Sequence, residues 1–194
     1  MISIILDSSN TELTVALADE NKVIEEINYE AWQQQSEYMI PEINKLLDKY
    51  SVSRTDIKDV MVSVGPGSYT GVRIAITVAK VMGTALNIPV YPVSSLRVLK
   101  NGEKPSICVI NARSKRSYVG VYEGNNVIQE DSIMTNEELI KYIENHPDYI
   151  VCGNAGYLNM EGYKSSVANE MVSLKKVISP CDDVLALKPV YMKD

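Results

Sequence analysis

The sequence feature that most constrains the fold of this chain is an internal repeat with a fixed offset of 104 residues (111 − 7). Residues 4–9 (Ile-Ile-Leu-Asp-Ser-Ser) align with residues 108–113 (Cys-Val-Ile-Asn-Ala-Arg), and the alignment continues without gaps as far as Glu26 and Glu130. Each copy contains an apolar run, a polar turn, an alternating run, an Asn-containing turn and a further run, which is typical of a three-stranded β-meander. The gapless register over roughly two dozen positions favours duplication over a chance likeness of two hairpins.

The repeat predicts an α/β chain of two similar lobes, residues 1–100 and 101–194, because helix and strand patterns follow each copy. The boundary falls in residues 101–105 (Asn-Gly-Glu-Lys-Pro), which are typical of a turn. Residues 154–179 show too little pattern for an assignment. The predicted elements are helices at 36–50, 72–86 and 135–145, strands at 60–64, 89–93 and 149–153, and an extended segment at 188–192.

Two meanders, each followed by helices and strands, resemble the ribonuclease H-like lobes of the actin, sugar-kinase and heat-shock-chaperone superfamily. The resemblance implies that the tips of the two first hairpins face each other across an interlobe cleft, where that superfamily holds the phosphates of ATP with a carboxylate at each tip. The equivalent tip positions here are Asp7 and Asn111. An amide holds Mg²⁺ less well than a carboxylate does, so we expect a cleft with degenerate chemistry.

A glycine-rich loop, residues 65–71 (Gly-Pro-Gly-Ser-Tyr-Thr-Gly), joins a predicted strand to a predicted helix. Such a loop places free N–H groups and the positive end of the helix dipole together, which suits a phosphate or a carboxylate. A tight strand-to-helix turn without a ligand is an equally weighted alternative. Val72 and Arg73 follow the last glycine, and the missing lysine argues against a P-loop NTPase. The candidate anion- or nucleotide-binding residues are Asp7, Ser8, Ser9, Gly65, Gly67, Ser68, Thr70 and Gly71.

Charge and composition narrow the classes of function. The net charge of −6 argues against nucleic-acid binding by the chain alone, since phosphate binding needs clusters of Lys and Arg. The local exception, residues 113–116 (Arg-Ser-Lys-Arg), is interpreted as a solvated hairpin tip. The single histidine, His146, cannot build a His-rich metal site and is interpreted as a helix C-terminal cap. Three widely spaced cysteines, without a recognisable membrane span or signal peptide, predict a cytoplasmic location.

Two predicted helices of the first lobe are candidates for partner binding. Residues 36–50 form an amphipathic pattern, whereas residues 72–86 are apolar on almost every side. The second pattern fits either a core helix under the sheet or a helix buried between its own lobe and a partner. Another helix could approach closely along a stripe of small residues at Ala75, Ala79 and Gly83. Arg73 lies in the first turn, where a cation opposes the helix dipole, so it either has a specific partner or is an unpaired surface arginine.

The chain resembles the TsaB (YeaZ) family nearly from end to end. The resemblance rests on residues 6–9 (Leu-Asp-Ser-Ser), 65–74 (the loop followed by Val-Arg-Ile), 92–96 (Pro-Val-Ser-Ser-Leu), 111–113 (Asn-Ala-Arg) and 189–191 (Pro-Val-Tyr). It implies a bacterial protein of the tRNA threonylcarbamoyladenosine pathway that pairs with a catalytic paralogue, TsaD, and joins a complex with the ATPase TsaE. TsaD transfers the threonylcarbamoyl group to the adenosine beside the anticodon, so the chain would meet tRNA only through the complex.

The resemblance also implies a binding surface. Family members join their partner through two first-lobe helices that form a four-helix bundle, and the same surface could make a homodimer when the partner is absent. A bulky charged residue at Ala79 is then expected to abolish association while the protein stays folded. The expected partner-binding residues are Met39, Ile43, Leu46, Leu47, Tyr50, Arg73, Ala75, Ile76, Ala79, Met82 and Gly83. No catalytic residue, metal site or required cofactor is expected, and a weak or interface-shared nucleotide is compatible with this function.

The sequence departs from the family pattern at three places. Gln35 stands where relatives often have His, Asn111 stands where Asp is common, and the C-terminal helix is shortened to residues 182–187.

Two other functions are weighed against the role of a non-catalytic subunit. An ATP-dependent phosphotransferase or ATPase would use Asp7 and the 65–71 loop, with residues 153–156 (Gly-Asn-Ala-Gly) as a weak candidate for its adenosine site. A glycoprotease-like metallopeptidase would need a metal cluster or a nucleophile–His pair, and the sequence supports neither.

Overall fold

The first of two β-sheets is built from the N-terminal half of the chain in a computed structural model that describes residues 2–20 and 22–192. Its strands lie in the order β3-β2-β1-β4-β5. The first three form the predicted antiparallel meander, and β4 and β5 add to β1 in parallel. The strand bounds are β1 Ile2–Asp7, β2 Glu12–Ala18, β3 Val23–Glu30, β4 Ile57–Ser63 and β5 Val90–Val93.

The second sheet repeats this arrangement with one strand fewer among the described residues. Its order is β8-β7-β6-β9, with an antiparallel meander and one parallel strand beside β6. The bounds are β6 Ser106–Arg113, β7 Arg116–Glu123, β8 Asn126–Thr135 and β9 Ile150–Cys152. The duplicated meander predicted from the 104-residue offset is therefore confirmed.

Helices α1 (Gln35–Lys49) and α2 (Tyr69–Leu86) cover one face of the first sheet. The side of helix α2 that carries small residues packs against β4, because small side chains let the helix lie close to the strands. The core-facing side chains of the two helices are Met39, Ile43, Leu46, Val72, Ala75, Ile76 and Ala79. The apolar pattern of residues 72–86 fitted either a core helix or a helix buried between its own lobe and a partner. The inward-facing stripe of small residues favours the core helix under the sheet.

Helix α3 (Asn136–Glu144) packs beside the second sheet and begins as its sequence predicts. Thr135 and Glu138 form a capping box, in which each side chain accepts the other residue's backbone N–H. At the other end, Nδ1 of His146 lies 2.7 Å from the carbonyl oxygen of Tyr142. The interpretation of His146 as a helix C-terminal cap is confirmed.

Helix α4 (Val167–Leu174) lies in the stretch that sequence patterns left unassigned, and it returns to the first lobe. It covers the face of the first sheet opposite α1 and α2. The Glu26 carboxylate accepts hydrogen bonds from Ser166 Oγ (2.5 Å) and from the Ala168 N–H (3.1 Å) at the start of the helix. Just after its end, Lys175 Nζ lies 2.5 Å from Asp59 Oδ2, which is otherwise buried.

Residues 181–191, here called the C-terminal strap, also pack on the first lobe. The Cys181 N–H donates to the carbonyl of Val90 (2.9 Å), Lys80 Nζ donates to that of Leu185 (2.7 Å), and the Val190 N–H donates to that of Val64 (2.7 Å). The division at residue 100 therefore separates the two sheets, but α4 and the strap belong structurally to the first lobe. No helix in the described ranges is long and apolar enough to cross a membrane.

Candidate functional site

A cleft of about 680 Å³ lies between the two lobes. The first lobe contributes the tip of the β1–β2 hairpin, residues 32–36 and the start of α2, and the second lobe contributes the tip of the β6–β7 hairpin. Five predicted anion-binding residues line it, namely Ser9, Gly67, Ser68, Thr70 and Gly71. Asp7, Ser8 and Gly65 are buried and are absent from this lining.

The three glycines of the loop are explained by close packing within the chain. A Cβ on Gly71 would lie 1.9 Å from the carbonyl oxygen of Ser8, and one on Gly67 would lie 2.2 Å from that of Ser9. Gly65 has φ +105°, and a Cβ there would lie 2.6 Å from the carbonyl oxygen of Val190. The loop thus needs glycines to sit against the first hairpin and the strap, and no ligand is required to account for them.

Hydrogen bonds fasten the loop to the first hairpin. The Ser68 N–H donates to the carbonyl of Ser9 (2.7 Å), and Ser8 Oγ donates to the carbonyl of Gly71 (2.8 Å). Helix α2 begins at Tyr69, three residues earlier than predicted, with Ser68 as the N-cap whose Oγ accepts the Gly71 N–H (3.2 Å). The N–H groups of Tyr69 and Thr70 precede the first intrahelical bond, so the positive end of α2 faces the cleft.

The two hairpin tips place equivalent residues in different surroundings. Asp7 Oδ1 accepts the Ser9 N–H at 2.9 Å, and Asn111 Oδ1 accepts the Arg113 N–H at 2.8 Å. Asp7 is only 7% exposed, whereas Asn111 is exposed and lines the cleft. Burial raises the pKa of the Asp7 carboxyl, against the hydrogen bonds that it accepts from Ser9. Among the described residues, no carboxylate lines the cleft.

Other residues of the cleft carried a weaker sequence signal. Trp32 is 43% exposed and lines the cleft together with Gln33 and Tyr118. Gln35 is buried at the cleft wall, and its Nε2 donates to the carbonyl of Asn10 (3.2 Å). Only an aromatic residue next to a predicted helix start could have indicated Trp32, and that signal is not specific.

Most of the predicted partner-binding side chains are buried within the first lobe. Those without appreciable exposure are Met39, Ile43, Leu46, Ala75, Ile76, Ala79 and Gly83. Leu47 and Met82 are half-buried, and Tyr50 and Arg73 are exposed. Side chains inside the core cannot reach a partner in this conformation, which is a correction to the expected surface. A bulky charge at Ala79 would disrupt the core itself, so that substitution cannot isolate an effect on association.

Arg73 has a partner within its own helix. Its Nη1 donates to Tyr69 Oη (2.6 Å), and its guanidinium carbon lies 5.1 Å from the centre of the same ring. The Tyr69 ring stacks on Tyr191 of the strap, with centroids 5.2 Å apart. The guanidinium is therefore held against an exposed aromatic pair at the start of α2.

The alternative functions find less support in the structure. Gly153 and Asn154 line a separate cavity of about 220 Å³ and are absent from the lining of the main cleft. A Cβ on Gly153, which has φ +98°, would lie 2.5 Å from the carbonyl oxygen of Val109, so packing also explains this glycine. Within the described ranges, no group of three or more His, Cys, Asp or Glu side chains is placed to hold a metal ion.

Two copies of one meander, one on each side of a cleft, define a protein of the two-lobed, ribonuclease H-like α/β class. The family model described as "TsaD: tRNA N6-adenosine threonylcarbamoyltransferase" matches residues 27–177. The TsaB protein of Bacillus subtilis is 29% identical to this chain, and the alignment covers 100% of this chain and 94% of the Bacillus protein. The TsaB protein of Buchnera aphidicola from Schizaphis graminum is 30% identical to this chain. That alignment covers 72% of this chain and 69% of the Buchnera protein. The chain belongs to this family and, within it, to the TsaB (YeaZ) proteins.

The fold agrees with that assignment. A solved structure described as YeaZ from Pseudomonas aeruginosa superposes on this chain with a TM-score of 0.82. The superposition covers 98% of this chain and 99% of the Pseudomonas chain, at 23% sequence identity. The expected two-lobed fold class is therefore confirmed. Family membership connects the chain to the biosynthesis of tRNA threonylcarbamoyladenosine.

Proposed function

We propose that this chain is the non-catalytic subunit of the complex that forms N6-threonylcarbamoyladenosine beside the tRNA anticodon, where it binds and activates a TsaD-like transferase. A TsaE-like ATPase would join the same complex. The observation that carries the proposal is the interlobe cleft, whose described lining contains no carboxylate. Proteins hold a Mg²⁺-bound nucleotide through one or two carboxylates, and general bases are most often His, Asp or Glu. The described lining contains none of these three residue types. Asp7 lies buried behind the cleft and Asn111 is an amide.

The outer faces of α1 and α2 are proposed as the surface for the transferase. Ile40 of α1 is 46% exposed and Val81 of α2 is 62% exposed, and the two helices contact each other. Tyr38 and Tyr50 are also partly exposed on α1. Exposed apolar side chains on two helices that contact each other mark a protein-binding surface better than the buried residues of the same helices do. In the absence of the partner, this surface would form a two-fold homodimer.

The proposal requires no cofactor in this subunit. The N-terminus of α2 at the cleft would suit a weakly bound nucleotide, or one shared across the interface with the transferase. The competing function, an ATP-dependent phosphotransferase or ATPase, would instead bind Mg-ATP on the isolated chain and turn it over. Calorimetry and a phosphate-release assay on the isolated chain distinguish the two, because turnover would overturn the non-catalytic role.

Multi-angle light scattering tests the docking surface, using the chain alone and mixed with the TsaD-like protein of the same source. The wild type should give a new 1:1 species. Val81→Glu should weaken its formation by at least about 30-fold, because the substitution buries an unpaired charge at the centre of the interface. It should also lower threonylcarbamoyladenosine formation by the reconstituted complex.

Val177→Glu is the matched control, because Val177 is 51% exposed and lies just beyond α4, away from α1 and α2. This variant should associate like the wild type, and circular dichroism should show both variants folded. Wild-type association of folded Val81→Glu would refute the assigned surface, and no 1:1 species with the wild type would refute the subunit role.

A further inference from the structure

The tip of the second hairpin carries two exposed cations, Arg113 and Lys115. Arg113, Ser114 and Lys115 all have left-handed backbone conformations, with φ of +64°, +50° and +60°. Arg113 and Lys115 are exposed, and among the described residues their side chains have no ion pair or hydrogen bond. Their backbone is fixed, because the Asn136 N–H donates to the carbonyl of Lys115 (2.9 Å) and Arg113 donates to Asn111. The tip therefore presents these two cations, unpaired within the described part of the chain, from a defined position.

The surroundings of this tip favour an anionic ligand that has an aromatic group. Arg113 lines the interlobe cleft, and it is the only charged side chain among the described lining residues. Across the cleft lies the Trp32 indole, 43% exposed, with amide side chains beside it. The whole chain carries a net charge of −6, so this positive and carboxylate-free area contrasts with the rest of the molecule.

We infer that the tip and the cleft mouth bind a single-stranded segment of RNA. Arg113 and Lys115 would contact successive phosphates, and the Trp32 indole would stack on an unpaired base. An acidic peptide would use the cations but would gain little from an indole beside amide groups, whereas a nucleotide uses all three. The assignment rests on the proposed function for the identity of the RNA, which is the anticodon loop of a tRNA held by the complex.

Fluorescence anisotropy with a labelled anticodon stem-loop RNA tests the inference, on the chain alone and on its mixture with the TsaD-like protein. The double variant Arg113→Gln, Lys115→Gln should bind more weakly. Because about 0.7 counterion is released per phosphate of a single strand, its salt-dependence slope should fall by about 1.4. Trp32→Ala should weaken binding by roughly 5- to 100-fold with little change of slope, because it removes stacking.

Matched controls separate the local effect from net charge and from general loss of aromatic surface. Lys104→Gln, Lys176→Gln removes the same charge from exposed positions elsewhere, and Tyr163→Ala removes an aromatic side chain that is 47% exposed beside the smaller cavity. Both controls should bind the RNA like the wild type. Equal weakening by the controls, or wild-type affinity of the tip variants, would overturn the inference.

Two further outcomes are decisive. If unlabelled ATP binds with the same dependence on Arg113 and Trp32 while the RNA does not bind to either sample, the site takes a free nucleotide and the inference is wrong. Light scattering of the same mixtures reports complex formation separately. RNA binding by the chain alone that is sensitive to the tip variants would support the inference even where the complex fails to form.

Discussion

The two hairpin tips, around Asp7 and Asn111, occupy equivalent positions in two copies of one meander, yet they differ in what surrounds them. The first tip is covered by the glycine-rich loop, whose Ser68 N–H donates to Ser9. The second tip ends in a two-residue connection that stays exposed. Both tips keep the same short-range hydrogen bond from a backbone N–H to the side-chain oxygen of the tip residue.

The same duplicated meander therefore serves two different roles in the two lobes. In the first lobe, α1 and α2 cover one face of the sheet and α4 covers the other, and Asp7 is buried although Ser9 beside it lines the cleft. In the second lobe the equivalent residue, Asn111, is exposed and lines the cleft. The tip with the buried acid is therefore packed within its lobe, and the tip with the exposed amide is placed to contact a ligand.

The largest effect that tests this comparison is expected at the loop packed on the first tip. Gly71→Ala should lower the free energy of unfolding by about 3 kcal/mol or more, because the added Cβ would overlap backbone that cannot yield. Gly156→Ala in the second lobe is the control, since its Cβ would meet nothing closer than 3.4 Å. Urea denaturation measures both. A small loss for Gly71→Ala would show that the loop can move away from the first hairpin.

A second test concerns how the C-terminal half is fastened to the first sheet. Lys175→Met should cost about 3 kcal/mol, because it leaves the buried Asp59 carboxylate without its cation. Lys164→Met breaks an ion pair with Glu12 whose lysine is exposed, and should cost under about 1 kcal/mol. Equal losses in urea denaturation would mean that α4 is not held by the buried pair.

The smallest expected effect on stability comes from the ionisation of Asp7 at the first tip. Burial raises the pKa of Asp7 above its ordinary value of 3.8, so the folded state holds this proton more tightly than the unfolded state. Ionisation of Asp7 therefore costs stability as the pH rises from about 3.8 through the folded value. Asp7→Asn removes this cost and keeps the oxygen that accepts the Ser9 N–H.

The free energy of unfolding of Asp7→Asn, relative to the wild type, should increase between about pH 3 and about pH 7. Asn111→Asp is the control and should show no comparable dependence, because this tip is exposed. A flat difference for Asp7→Asn across this range would contradict the role of burial at the first tip.

The sequence predicted the duplicated meanders and most element positions, because alternation and turn residues are local signals. From the sequence, helix α2 was expected to begin at Val72, because Gly71 is typical of a loop. Ser68 is nevertheless a favoured N-cap residue, and its side chain accepts the Gly71 N–H three residues later. Helix α4 was missed, although Ser166 and the apolar spacing from Val167 to Met171 were available as signals.

Which side of a helix faces outward could not be predicted for α2. The sequence of a helix that is apolar on every side does not indicate which face packs on the sheet. The structure shows that Ala79 lies inward and Val81 outward. The glycines of the loop posed the same difficulty, since a close backbone approach and a bound anion select the same residue. The carbonyls of Ser8 and Ser9 that decide between them come from a distant part of the sequence.

The return of α4 to the first sheet has a consequence for synthesis of the protein. The face formed by Ile5, Met61 and Val93 is covered by a helix that starts 74 residues later in the chain (167 − 93). At a translation rate of about 5–20 residues per second, that face leaves the ribosome and waits roughly 4–15 seconds for its cover. During this interval the nascent first lobe exposes an apolar surface of the kind that chaperones bind.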